Sequence, residues 1–150
     1  MTIREALPAD RDLLLDIWLR SVRATHAFLA EADIELLVPV VREQVLPQLE
    51  LWVLCSPNGV PMGFLGLSDS TVEALFVAPE WFRQGGGKRL LEHARLLKGS
   101  LSVDVNEQNP GALAFYLANG FEVVGRSPLD GQGKPFPILH LREVPHGPSR

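Results

Sequence analysis

The chain has a single cysteine, Cys55, among 150 residues. One cysteine excludes an internal disulfide and any cysteine-rich zinc site. It ends the apolar run Leu51–Cys55, which reads as core, and no cationic cluster or helix start adjoins it to activate a thiolate. No stretch approaches the roughly 18 apolar residues of a membrane helix. The opening MTIREALPADRD carries charge but no apolar centre, so it is not expected to act as a secretory signal, and a cytoplasmic protein is expected. A basic excess is missing too. Lys and Arg number 14 against 18 Asp and Glu, a net charge of −4 that argues against general nucleic-acid binding. The four histidines, His26, His93, His140 and His146, lack ligand spacing, so no metal is expected. Repeats, low-complexity segments and linkers are absent. Residues 1–150 are therefore expected to form one domain, with a loose tail over 145–150.

Against these absences, two segments are dense in information. A strand-like run ends at Val77 and Pro79, and Gly85, Gly86 and Gly87 then lead into a pattern that puts Leu90, Leu91, Ala94 and Leu97 on one helix face. A glycine-rich turn at a helix start exposes backbone N–H groups that can hold phosphate oxygens. Arg83, Lys88 and Arg89 surround the glycines, a local basic spot suited to a small polyanion in an otherwise acidic chain. In the second segment, Asn109, Ala112 and Tyr116 fall on one side of another helix, which Gly120 closes.

The remaining elements follow from periodicity and punctuation. Ile3–Ala6 predicts a strand, and Pro8–Asp10 opens a helix carrying Leu14, Ile17, Trp18 and Ser21. Residues 24–47 read as helix interrupted at Pro39 and Pro47. Leu51–Cys55 and Gly63–Leu67 read as strands joined by the turn PNGVP, followed by a third at Thr71–Val77. Leu101–Val105, Phe121–Gly125 and Pro137–Val144 complete the set. Hairpins mixed with crossover helices indicate an α/β protein with a sheet of mixed direction.

These two motifs, on these elements and in this order, resemble the GNAT superfamily of acetyl-CoA-dependent N-acetyltransferases. The loop pattern falls on Phe82–Gly87, and the pattern Asn-x-x-Ala-x-x-x-Tyr-x-x-x-Gly-Phe on Asn109, Ala112, Tyr116, Gly120 and Phe121. The segments RATHAFL, VNEQN and GRSPLDGQGKPFPIL are similar to the small bacterial YjaB-type branch. The resemblance implies the GNAT fold: a mostly antiparallel mixed sheet of six to seven strands flanked by helices. It also implies acetyl-CoA as cosubstrate, held by Phe76, Val77, Arg83, Gln84, Gly85, Gly86, Gly87, Lys88, Asn109 and Tyr116. The implied acceptor is a primary amine of a small molecule or protein, which attacks the thioester directly. The oligomeric state is left open between monomer and homodimer. Phe82 stands where the pattern has Arg or Gln, which is expected to weaken cofactor binding without abolishing it.

By the same resemblance Tyr116, the only tyrosine, protonates the departing thiolate; its other reading is a core residue. A phenol suits the task because it is neutral and carries a proton at pH 7. Glu73 is either the base for the amine proton or an exposed strand carboxylate, with Val72 and Ala74 facing away from it. The backbone N–H of Val77 is implied as an oxyanion donor. Asn109 reads both as a helix N-cap before Pro110 and as a contact to the pantetheine arm. Trp18, His26, Phe28 and Asn106 are candidate acceptor-side residues. Arg20, Arg126, Asp130 and Lys134 fit surface solvation better, and Glu107 is a weaker candidate base. Two rival readings are a non-catalytic acyl-CoA sensor and a nucleotide-phosphate binder. The second lacks the Lys-Ser/Thr that should follow such a loop.

Overall fold

The computed structural model describes residues 1–144; the tail expected to be loose lies outside them. Seven strands form one sheet: β1 (Thr2–Glu5), β2 (Glu50–Cys55), β3 (Pro61–Ser68), β4 (Thr71–Val77), β5 (Ser102–Asn106), β6 (Phe121–Ser127) and β7 (Ile138–Glu143). Their order across the sheet is β1-β2-β3-β4-β5-β7-β6. All neighbours are antiparallel except β4 and β5, joined in parallel through a crossover helix.

Four helices cover the sheet: α1 (Arg11–Thr25), α2 (Glu31–Val40), α3 (Gly86–Lys98) and α4 (Pro110–Ala118). Alternation along the strands supplies two cores. Leu54, Leu65, Leu67, Val103 and Val105 face Leu90, Leu91 and Ala94 of α3 and Tyr116 of α4. Val53, Phe64 and Ala74 face Leu14, Ile17, Trp18 and Val22 of α1. Cys55 is free and buried in this second core, as its apolar run suggested.

Two expectations are corrected. Pro39 does not interrupt the helix but lies inside α2. The chain continues beyond α2 as a π turn over Val41–Val45, a wider winding. Pro47 does act as a stop, in a 3₁₀ turn after which Leu49 is extended. Leu97, assigned to the buried face of α3, is 42% exposed. The apolar stretch from Ile34 to Leu46 packs internally through Ile34, Val41 and Leu46.

Candidate active site

The parallel pair β4 and β5 is short. Register holds only for Thr71–Ser102 and Val72–Val103. Beyond these the strands part, and the gap opens into a cavity of about 840 Å³. The cavity crosses the sheet. Gly86, Gly87, Phe115 and Tyr116 line it on the α3/α4 side, and Ser21, His26, Glu73 and Asp104 on the α1 side. Phe76 and Val77 lie on the open edge of β4 between them. The N–H of Ala78 bonds the carbonyl of Met62 on β3. Strand N–H groups alternate in direction, so that of Val77 faces the gap.

On the α3 side the wall is mostly backbone. Arg83 and Gly85 adopt positive φ, 62° and 83°, which turns the chain sharply into α3. The first bond of the helix runs from Arg89 N–H to Gly85 O at 3.1 Å, so the earlier N–H groups have no helical acceptor and form the positive end of the dipole. A Cβ on Gly86 would lie 2.9 Å from Leu54 Cδ2, and one on Gly87 3.2 Å from Phe115 Cζ. These two glycines let the helix start approach β2 and α4. Phe82, Arg83 and Lys88 line this end of the cavity, whereas Gln84 donates to Glu80 O at 3.4 Å. Arg89 does not join the basic spot: it donates to Met1 O at 2.9 Å, outside the cavity.

Asn109 caps α4, its Oδ1 accepting from Ala112 N–H at 3.2 Å. Its Nδ2 reaches His26 Nε2 at 3.4 Å. His26 Nδ1 lies 2.9 Å from Thr25 Oγ1, which donates to Ser21 O at 2.8 Å. This sequence of donors requires a neutral His26 protonated on Nδ1. Burial lowers its pKa from 6.5, in the same direction.

Tyr116 is 7% exposed, with its ring edge-on to Phe115 at 5.2 Å and to Phe121 at 5.3 Å. It is both a core residue and a cavity residue. Burial pushes its pKa above the usual 10.0, so the phenol keeps its proton.

Glu73 sits at a β-bulge. Register passes from Gly66–Ala74 to Leu67–Val72, leaving Glu73 without a partner on β3. The expectation that Val72 and Ala74 face together away from it is therefore corrected: they pack into opposite cores, because a bulge breaks alternation. Burial, and then the nearby charge of Asp104, raise the Glu73 pKa above 4.5.

Of the acceptor-side candidates, His26 and Asn106 line the cavity. Trp18 does not, since it is buried in the core beneath α1. Phe28 does not line it either; its ring is tilted against His26 at 5.3 Å and against Phe136 at 5.8 Å. Arg20 pairs with Asp16 and Glu80, Arg126 with Glu107, and Asp130 accepts from the N–H groups of Gln132 and Lys134. Glu107, held by Arg126, does not line the cavity.

Asp104 escaped the sequence reading. Its alternation with Val103 and Val105 marks it as facing away from their core, but nothing local marks a cavity or its partner His140, 36 residues further on. Among the described residues no His/Cys/Asp/Glu cluster could hold a metal, and no helix is long and apolar enough to cross a membrane.

A parted parallel pair, a glycine-led helix start on one side and a phenol in the gap form one continuous site. A family model described as an acetyltransferase (GNAT) domain matches residues 47–123. The chain is 43% identical over 141 residues to peptidyl-lysine N-acetyltransferase YjaB of Salmonella typhimurium, covering 94% of this chain and 97% of that protein. It is 41% identical to the Escherichia coli protein of that name, covering 96% and 97%. The solution structure of apo YjaB from Escherichia coli superposes with a TM-score of 0.88 at 40% identity, covering 95% and 97%. The chain belongs to the GNAT acetyltransferase family and is an N-acetyltransferase whose donor is acetyl-CoA.

Proposed function

We propose that the acceptor is the ε-amino group of lysine in a protein or peptide, and that the donor enters from the α3 side and the acceptor from the α1 side. The observation that carries this reading is the polarity of the cavity between β4 and β5. Arg83, Lys88 and open N–H groups stand at one end, and Glu73 and Asp104 at the other. Phosphates suit the first and an ammonium group suits the second. The names of the two YjaB relatives support lysine over other amines.

The steps follow from the groups present. Glu73, a stronger base for its raised pKa, takes a proton from the ammonium, directly or through water. The neutral nitrogen attacks the thioester carbonyl, a C–N bond forms, and the N–H of Val77 faces the oxygen that gains charge. The C–S bond breaks and Tyr116 gives its proton to the sulfur. Phe82 leaves the pyrophosphate to backbone donors and to Arg83 beside it. A cytoplasmic location, where acetyl-CoA and protein lysines meet, goes with this reading, as do a monomer or homodimer and no role for nucleic acid.

The test is calorimetry with acetyl-CoA, followed by a thiol assay for CoA release and mass spectrometry of a lysine peptide. One donor per chain, CoA release and a gain of one acetyl on the lysine side chain are expected. Acetylation of the peptide N-terminus alone, or of small amines alone, would overturn the lysine assignment.

A further inference from the structure

Three side chains from three strands meet on the α1 side of the sheet. His140 (β7) stands opposite Asp104 (β5) in register, and Gly125 (β6) stands opposite His140. His140 Nδ1 is 2.7 Å from Asp104 Oδ1, and Ser127 Oγ is 2.7 Å from His140 Nε2. Only one neutral arrangement satisfies both contacts. Nδ1–H donates to the carboxylate, and the Ser127 hydroxyl donates to Nε2. A Cβ on Gly125 would make ordinary contact with the ring, 3.5 Å from His140 Cδ2.

The consequence falls on Asp104. One oxygen of this partly exposed carboxylate is held by His140, and the other is left over. Asp104 lines the cavity, and neither Ser127 nor His140 does. Among the described residues, Asp104 meets no Lys or Arg in an ion pair, and its charge is felt by Glu73. Two carboxylates without a permanent cation thus face the same half of the cavity, and one of them is aimed by a two-residue support.

We propose that Asp104, positioned by the Ser127–His140 chain, is the residue that selects a cationic acceptor by receiving its ammonium group beside Glu73. Glu73 then takes the proton, while Asp104 holds the amine. This assignment rests on the lysine reading above. It gives that reading a specificity residue distinct from the base. His140 and Ser127 act through Asp104 and are positioning residues.

The test uses steady-state kinetics with two acceptors, a lysine peptide and hydroxylamine, which is uncharged at neutral pH. Asp104→Asn should raise KM for the peptide about tenfold, the loss of one charge-assisted contact. The loss with hydroxylamine should be the smaller of the two, and KM for acetyl-CoA should stay near wild type. His140→Leu should reproduce part of that rise. His140→Asn, which can still donate an N–H to Asp104, should restore most of it. Circular dichroism melts identify any variant that has lost its fold. An unchanged peptide KM in folded Asp104→Asn, or an equal loss with hydroxylamine, overturns the role of Asp104. Equal behaviour of His140→Leu and His140→Asn overturns the positioning chain. If wild type binds acetyl-CoA but acetylates hydroxylamine and no lysine peptide, the lysine reading itself fails, a result separate from the others.

Discussion

The two ends of the cavity are built from different materials. The donor end is backbone: a glycine turn, the unpaired N–H groups of a helix start, and the open edge of β4. The acceptor end is side chain: Glu73 on a bulge, His26 at the close of α1, and Asp104 held from β7. Backbone donors tolerate many sequences as long as the turn forms, so the donor end can serve any acceptor. Side-chain carboxylates and imidazoles can be exchanged one at a time, so the proposed acceptor end is the one at which substitutions can change specificity. Tyr116 stands between the two, lining the cavity and packing in the core.

The largest effect should come from that junction. Tyr116→Phe keeps the ring between Phe115 and Phe121 and removes only the hydroxyl. The kcat should fall by about 10²-fold or more, the usual weight of a positioned acid. Calorimetric affinity for acetyl-CoA should stay near wild type, because the donor end is untouched. A melting temperature within a few degrees of wild type would show that the core is intact. If kcat survives, the proton reaches sulfur from water, and the junction is packing alone.

Legibility in the sequence followed the same division. The glycine turn, the cap at Asn109 and Tyr116 were readable because each signal is local: residues within one turn, or one helix face, carry it. Strand β4 was placed over Thr71–Val77 for the same reason. The bulge at Glu73 left no local mark, since it depends on how β3 pairs with β4. The Asp104–His140–Ser127 chain depends on β7 lying between β5 and β6, an order that no local pattern reveals. Trp18 failed as a site residue because helical spacing alone does not say which part of a face reaches the cavity. Pro39 does not break the helix, since α2 runs through it to Val40, and the local pattern does not reveal that.

A second prediction sharpens the contrast by altering the acceptor end alone. Raised pKa at Glu73 comes first from burial and then from Asp104. As the proposed base, Glu73 acts in its ionised form, so kcat/KM should fall as pH drops through that raised value. Asp104→Asn removes the second cause and should move this acid limb to lower pH, part of the way toward 4.5. Linkage fixes the sign for stability as well. Folded Glu73 binds its proton more tightly than the unfolded chain does, so wild type loses stability as pH rises from 4.5 through the raised value. The variant should lose less over that window, as measured by urea melts. Glu73→Gln should abolish the acid limb and lower kcat/KM by about 10²-fold. An unmoved limb in Asp104→Asn would mean that Glu73 does not carry the titration.

The smallest effect belongs to the bridge between the two ends. Neutral His26 accepts from Asn109, and Asn109 also caps α4. Both polar atoms of Asn109 are therefore engaged, and a contact to the pantetheine arm requires its Nδ2 to leave His26. Protonation of His26 opposes the bridge, because Nε2–H would then meet the Nδ2 donors. The folded pKa lies below 6.5 through burial, so the folded protein takes up this proton less readily than the unfolded chain. Stability should be full above 6.5 and fall as pH drops below it, a loss that His26→Gln lacks. The bond is long at 3.4 Å, which keeps the contribution at about 1 kcal/mol or less. Freeing Asn109 should favour the donor, so acetyl-CoA should bind His26→Ala slightly more tightly than wild type, by about twofold to threefold. Weaker donor binding in that variant would mean that His26 supports the Asn109 cap, and that the ends of the cavity are joined by packing and not by a shared side chain.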